Sequence, residues 1–138
     1  NITFTINGGT YNGYVNLPEN TVDTFRPHGD PIVVNGGTFN GTVASGNASY
    51  ACGLICADTG AKVTLNGGTY NSNGAILDMR NNTGSTNPKA VLYGGNFSAN
   101  PTVSGLYASN LIKVADGFIV DTDSEDGRYI VVEAPKNE

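Results

Sequence analysis

Short apolar runs recur along the chain, and a pair of glycines follows each of them. In the first run, Phe4 and Ile6 alternate with threonines, which is the period-two pattern of a β-strand with one apolar face. Three more runs are predicted to be strands on the same grounds, namely Ile32-Val33-Val34, Val63-Thr64-Leu65 and Ala90-Val91-Leu92. No long stretch has the 3.6-residue apolar spacing of an amphipathic helix. The pattern therefore predicts an all-β chain.

Behind each run the chain repeats one motif, Asn-Gly-Gly-Thr followed by an aromatic residue. The first three copies begin at Asn7, Asn35 and Asn66, and a divergent fourth copy begins at Tyr93. The second glycines of the four copies are Gly9, Gly37, Gly68 and Gly95. They are separated by 28, 31 and 27 residues, and a fixed period of about 20–50 residues is typical of repeat architectures. Glycine and asparagine tolerate positive φ, so each motif is predicted to be a turn.

If each repeat forms one coil of a solenoid, equivalent residues stack from coil to coil. The predicted interior columns are Phe4/Ile32/Val63/Ala90, Ile6/Val34/Leu65/Leu92 and Tyr11/Phe39/Tyr70/Phe97. The asparagines Asn7, Asn35 and Asn66 are predicted to form an amide ladder that Tyr93 interrupts. A single repeat cannot bury such an apolar face alone, so at least three must stack. We therefore predict a parallel β-helix of about four coils, right-handed by the usual crossover rule.

The C-terminal residues have a different pattern. The apolar runs 118–120 and 129–132 flank the polar segment 121–128, which predicts a β-hairpin. We expect one domain, with coils over residues 1–117 and a capping hairpin with its tail over 118–138 that covers the open edge of the last coil.

Composition and charge exclude several classes of function. The net charge is −5 and the seven Lys and Arg residues are scattered, so no basic stripe is available to neutralise the phosphates of a nucleic acid. No apolar run approaches the roughly 18–20 residues that span a bilayer, and we expect no membrane insertion. Because the sequence begins at Asn1, we expect it to be part of a longer protein.

The two cysteines leave three arrangements open. Cys52 and Cys56 are four residues apart, which is about 13 Å in an extended strand. They are buried thiols, a disulfide closed by a tight turn, or metal ligands. No histidine or further cysteine accompanies them, and we expect neither a metal nor another cofactor.

Two aspartates form a candidate site for carbohydrate chemistry. Asp58 and Asp78 follow apolar runs in adjacent repeats, and neighbouring strands lie ~4.8 Å apart. Glycoside hydrolysis needs carboxylates separated by roughly 5–9.5 Å, so these two aspartates together with Arg80 are a speculative carbohydrate site. The competing interpretation is that both aspartates end strands at turns, where Asp is common.

The repeated Gly-Gly-Thr-(Tyr/Phe) motif behind a short apolar strand resembles the β-helical, pectate-lyase-like repeat regions of large surface proteins in gut Gram-positive bacteria and of phage appendage proteins. Residues 94–101 (GGNFSANP), 113–118 (KVADGF) and 126–131 (DGRYIV) are similar to the GGTFS…P, ADGY and DGTYTV that end those regions. The chain departs from the pattern at Asn96, where threonine is usual, and in its proline-rich first coil. No position matches the metal-binding and arginine pattern of pectate lyases, so their catalytic residues do not carry over.

The resemblance implies an extracellular module used for display, spacing or adhesion. We expect a non-enzymatic structural or adhesive β-helix on a bacterial cell surface or a virion surface. Its expected partner is a host-surface glycan or a neighbouring structural protein, and a monomer and a homotrimer both stay open. The alternative is a fragment of a β-helical polysaccharide-degrading enzyme, such as a phage depolymerase or a pectate-lyase-like protein.

Overall fold

A computed structural model of the chain describes residues 3–13, 31–41, 54–56, 62–72, 76–78, 89–103 and 111–136. The secondary-structure elements of these residues are thirteen β-strands. In chain order they are β1 (Phe4–Ile6), β2 (Thr10–Gly13), β3 (Ile32–Val34), β4 (Thr38–Gly41), β5 (Ile55–Cys56), β6 (Val63–Leu65), β7 (Thr69–Ser72), β8 (Leu77–Asp78), β9 (Ala90–Leu92), β10 (Asn96–Phe97), β11 (Ile112–Val114), β12 (Phe118–Thr122) and β13 (Tyr129–Glu133). The protein is all-β, and most of its strands pair in parallel.

The first sheet collects the short apolar strand of every repeat. Its five parallel strands lie in the order β1-β3-β6-β9-β11. The register aligns two rows of apolar residues, Phe4/Ile32/Val63/Ala90/Ile112 and Ile6/Val34/Leu65/Leu92/Val114. The middle residue of β3, β6 and β9 is half-buried and its two neighbours are buried. The strands thus follow the period-two pattern, with one face toward the core.

Phe4 departs from the interior position predicted for it. Its side chain is 42% exposed, whereas Ile32 and Val63 in the same row are completely buried. β1 is the terminal strand of the first sheet, so Phe4 has a paired strand on one side and less packing than the residues that follow it in the row.

The second sheet combines parallel and antiparallel pairs. Strands β2, β4, β7 and β10 are parallel, and β13 then pairs antiparallel with β10 and with β12. The predicted hairpin is therefore present, and it lies at the edge of this sheet. Its turn is closed by hydrogen bonds from Asp123 N to Arg128 O (2.7 Å) and from Gly127 N to Asp123 O (2.9 Å).

A short third sheet consists of β5 and β8, paired in parallel with Ile55 opposite Leu77 and Cys56 opposite Asp78. The side chains of Ile55 and Leu77 are completely buried, and so are those of the preceding Leu54 and Ile76. All four belong to the same apolar core as the buried faces of the other two sheets.

Each repeat thus contributes one strand to the first sheet and one to the second, in unbroken parallel register over four repeats. This arrangement is compatible with a parallel β-helix. Within the ranges described, no helix has the length and apolar character needed to cross a membrane.

Candidate functional site

The Gly-Gly turn of each repeat joins a strand of the first sheet to a strand of the second. The φ angles of its second glycine are 100° at Gly9, 110° at Gly37, 103° at Gly68 and 117° at Gly95. Residues other than glycine rarely adopt φ angles in this positive range. The N–H of the next residue donates to the carbonyl of that glycine one repeat earlier, at 2.8 Å from Thr38 to Gly9 and from Thr69 to Gly37. The turns therefore continue the backbone ladder between the two sheets.

The first glycine of each turn is required for a different reason, the close approach of the preceding repeat. A Cβ atom at Gly36, Gly67 or Gly94 would lie 2.8, 2.6 or 2.2 Å from the carbonyl oxygen of the residue that begins the preceding turn. At Gly8 of the first repeat a Cβ would meet no atom within 4 Å. Side chains are thus excluded where one turn stacks on another.

The asparagines that were predicted to form an amide ladder hold the first position of the first three turns. Hydrogen bonds between their side chains join them in a row. Asn35 Nδ2 donates to Asn7 Oδ1 at 2.8 Å, and Asn66 Nδ2 donates to Asn35 Oδ1 at 2.9 Å. Each amide donates toward the preceding repeat and offers its oxygen to the next. Tyr93 holds the corresponding place in the fourth repeat.

A second asparagine row, which the sequence analysis missed, follows the aromatic residues. Asn40 Nδ2 donates to Asn12 Oδ1 at 3.0 Å, and Asn71 Nδ2 donates to Asn40 Oδ1 at 2.7 Å. The signal was present, because the asparagine recurs at the same place in the first three copies of the motif. In the fourth copy this place is taken by Ser98, whose hydroxyl bonds to the backbone of Ser72 instead.

Arg128 of the terminal hairpin ends this second row. Its Nη2 donates to Asn71 Oδ1 at 2.7 Å and to Tyr70 O at 3.1 Å, and its Nε donates to Asn96 Oδ1. Asn96 is the residue that stands where the other copies have threonine, and its amide oxygen gives the guanidinium a third acceptor. The hairpin is therefore joined to the third and fourth repeats by side-chain bonds as well as by strand pairing.

The aromatic residues form a continuous stack between the sheets. Successive ring centroids are 5.1 Å apart from Tyr11 to Phe39 and from Phe39 to Tyr70, and 4.8 Å apart from Tyr70 to Phe97. The rings are within 14° of parallel. The Tyr70 hydroxyl donates to Gly67 O at 2.8 Å, and burial raises the pKa of the Tyr70 phenol above its usual value. Phe39, Tyr70 and Phe97 of this column are completely buried, so their rings pack the core.

The predicted carbohydrate residues are largely beyond the described part of the chain. Asp58 and Arg80 lie outside the described residues, and Asp78 is described as the last residue of β8. In the register of the third sheet the strand neighbour of Asp78 is Cys56. The carboxylate-pair hypothesis therefore stays a prediction. Cys52 also lies outside the described residues, so the three arrangements of the cysteines stay open.

A surface groove lies at the outer face of the first sheet. Its volume is about 330 Å³, and it is lined by Lys62, Val91, Tyr93, Lys113, Ala115 and Asp116. We call it the Tyr93 groove. The Tyr93 side chain is 46% exposed, and its ring packs edge-on against Phe118 with centroids 5.6 Å apart and an interplanar angle of 81°.

Three charged residues line the groove together with Tyr93. Lys113 Nζ lies 3.4 Å from Asp116 Oδ1, and the two side chains are 48% and 100% exposed. Lys62 adds a second ammonium group from the residue just before β6. The tyrosine ring can stack against a flat apolar face, and the two ammonium groups can pair with an anion. The carboxylate can accept hydrogen bonds from hydroxyl groups.

Sequence reasoning did not find this groove, because its charged and aromatic side chains do not recur at one position of the motif. Lys62 lies just before β6, Tyr93 just after β9 and Lys113 in the middle of β11. The one signal in the sequence was Tyr93, which replaces the asparagine of the motif.

In the part of the chain that the structure describes, no three His, Cys, Asp or Glu side chains are grouped so as to hold a metal ion. Comparisons with protein-family models, with curated proteins and with solved structures found no match to this chain.

Proposed function

We propose that the chain is a non-enzymatic structural or adhesive module, a right-handed parallel β-helix of about four coils with a C-terminal hairpin cap, carried on the surface of a bacterial cell or a virion. In this role the solenoid spaces and displays a surface, and its partner is a host-surface glycan or a neighbouring structural protein.

The observation that supports this proposal is the repetition of side-chain contacts from repeat to repeat. Two asparagine rows and one aromatic stack run in the same direction as the strand pairing. Repeat proteins of this kind are stabilised by contacts between neighbouring units, and their length grows without any change in the packing. Such a design produces an extended rigid surface.

The composition of the outer surface fits the same role. The exposed and half-buried positions of the turns are mostly asparagine, glycine and threonine, and the asparagines bond to their equivalents in neighbouring repeats. The acidic net charge of −5 opposes nonspecific association between copies of the chain. A surface of this kind suits display in an aqueous, extracellular environment.

The antiparallel pairing of the terminal hairpin supports the proposed cap. Its strand β13 runs antiparallel to β10, so the sheet stops adding strands in the direction and register of the repeats. Exposed strand edges invite pairing with other chains, and natural β-proteins protect them. A capped solenoid end suits a protein that is concentrated on a surface.

Surface labelling tests this proposal. Antibodies raised against the purified chain are expected to label intact cells or intact virions of the organism that encodes it, at the same level before and after permeabilisation. Labelling that requires permeabilisation would contradict a display function.

An assay of polysaccharide cleavage tests the non-enzymatic part of the proposal. Incubation of the chain with acidic and neutral polysaccharides is expected to release no new reducing ends. Release that is lost in the Asp78→Asn variant and kept in an Asp121→Asn control would instead support the polysaccharide-degrading alternative.

A further inference from the structure

The Tyr93 groove lies where the first asparagine row ends. Each of the three preceding repeats has asparagine at this place, and the amide of Asn66 bonds back to Asn35. A fourth asparagine would extend the row by another hydrogen bond. The chain instead has a tyrosine whose ring is 46% exposed. The fourth repeat thus lacks a ladder contact and has an aromatic surface in its place.

The exposed ring is held in a fixed orientation. Tyr93 N donates to Leu65 O at 2.7 Å, which continues the backbone ladder. The ring packs edge-on against Phe118, and Phe118 packs against the core. A rigid aromatic surface loses little entropy when a ligand stacks on it.

The groove concentrates positive charge in an acidic protein. Lys62 and Lys113 are two of the seven basic residues in a chain of net charge −5, and Asp116 is the acidic residue of the lining. The Lys113–Asp116 pair is highly exposed, and exposed pairs of this kind contribute little to stability. Lys113 can therefore exchange its partner for an anionic ligand at low cost.

We propose that the Tyr93 groove binds an acidic saccharide. In this complex one face of a uronic acid ring stacks on Tyr93, and its carboxylate pairs with the ammonium groups of Lys62 and Lys113. Asp116 accepts hydrogen bonds from sugar hydroxyls. This inference rests on the proposed function, since it names the class of glycan that an adhesive module would contact.

The size and charge of the groove favour one or two sugar units over larger anions. Its volume of about 330 Å³ lies at the lower end of the roughly 300–1,000 Å³ of small-molecule sites. Two lysines suffice to pair with one carboxylate, whereas a nucleic acid needs a basic stripe along its backbone.

Two glycosides that differ at a single carbon test the proposal. Methyl β-glucuronide and methyl β-glucoside are titrated into the ¹⁵N-labelled chain, and the amide shifts of Tyr93, Lys113 and Asp116 are followed by NMR. Ligands of this size bind in about the millimolar range. The glucuronide is expected to bind about tenfold more tightly than the glucoside, because hydrogen bonds to charged groups are the stronger ones.

Substitutions separate the two parts of the site. The Tyr93→Asn variant restores the asparagine of the motif, so its fold is expected to persist, and it should weaken both glycosides severalfold. The double variant K62Q/K113Q should remove the preference for the glucuronide. The double variant T122E/S124E makes the same change in net charge at two exposed residues of the terminal hairpin, outside the lining of the groove, and should leave the preference intact.

Four results would overturn the proposal. They are equal affinity for the two glycosides, no binding of the glucuronide at high concentration, an equal loss in the T122E/S124E control, and tighter binding of a mononucleotide or of acetate than of the glucuronide. Each of these results would leave the surface-labelling test unaffected. Failure of surface labelling with intact glucuronide binding would refute the display function and keep the site.

Discussion

Substitution of the first glycine of each turn by alanine tests the role of this glycine. The hypothesis is that neighbouring repeats stack too closely there to leave room for a side chain. The four glycines are Gly8, Gly36, Gly67 and Gly94, and none of them has a positive φ. Their backbone accepts alanine without strain, so the effect of the substitution depends on what the new methyl group meets. The chain therefore contains a graded series with its own control.

The structure gives the expected order of the effects. Against an ordinary contact of 3.4 Å, the new Cβ would be too close to the neighbouring carbonyl oxygen by 0.6 Å at Gly36, by 0.8 Å at Gly67 and by 1.2 Å at Gly94. Overpacking typically costs about 1–3 kcal/mol. We expect losses of unfolding free energy of about 1 kcal/mol for Gly36→Ala and about 3 kcal/mol for Gly94→Ala, with Gly67→Ala between them.

Gly8→Ala is the matched control of the series. Its Cβ would meet nothing within 4 Å, and an alanine in a compatible conformation stabilises a protein by about 0.4–1 kcal/mol through the unfolded chain. Urea unfolding followed by far-UV circular dichroism measures all four variants. If Gly8→Ala lost as much stability as Gly94→Ala, or if the order of the other three were reversed, the stacking argument would be refuted.

Three further substitutions test the core, the aromatic stack and the hairpin. Leu65→Ala should cost about 2–5 kcal/mol in urea unfolding, as for other buried leucines, and a loss below ~0.5 kcal/mol would contradict its place in the core. Tyr70→Phe removes the hydrogen bond to Gly67 O and should cost about 0.5–1.5 kcal/mol at pH 7. Because burial raises the pKa of Tyr70, this contribution is complete below the unfolded pKa of about 10 and is lost as the pH rises above it. The difference between wild type and Tyr70→Phe should therefore shrink between pH 9 and pH 11, and a constant difference would contradict the assignment. Arg128→Lys keeps the charge but cannot reproduce the guanidinium's three directed bonds, so it should cost about 1–3 kcal/mol, and an unchanged urea midpoint would show that these bonds contribute nothing.

The parts of the fold that the sequence could predict are those in which repetition makes equivalent residues into neighbours. In a stack of parallel repeats, residues such as Val34 and Leu65 are 31 positions apart in the chain and adjacent in the sheet. Residues that recur at the repeat period are therefore predicted to contact one another. The strands of the first sheet and the first asparagine row follow this rule, and the second row obeys it too.

The features that could not be predicted are those in which repetition ends. β11 lacks the Gly-Gly turn and still adds a fifth strand to the first sheet, because pairing with β9 needs an extended backbone and not the motif. The Tyr93 groove and the contacts of Arg128 join non-equivalent positions. No periodicity in the sequence reports such contacts.

The second asparagine row explains why an arginine of the terminal hairpin, and not another asparagine, bonds to its last member. Each amide in the row donates toward the preceding repeat, so the row always ends with an acceptor, which here is Asn71 Oδ1. A further asparagine would satisfy that oxygen and present a new one. Arginine has five N–H donors and no acceptor, so Arg128 satisfies Asn71 without extending the row. The same guanidinium bonds to the backbone of Tyr70 and to the amide of Asn96, which ties the antiparallel hairpin to two repeats. One residue therefore ends the side-chain ladder at the place where β13 ends the parallel pairing of the backbone.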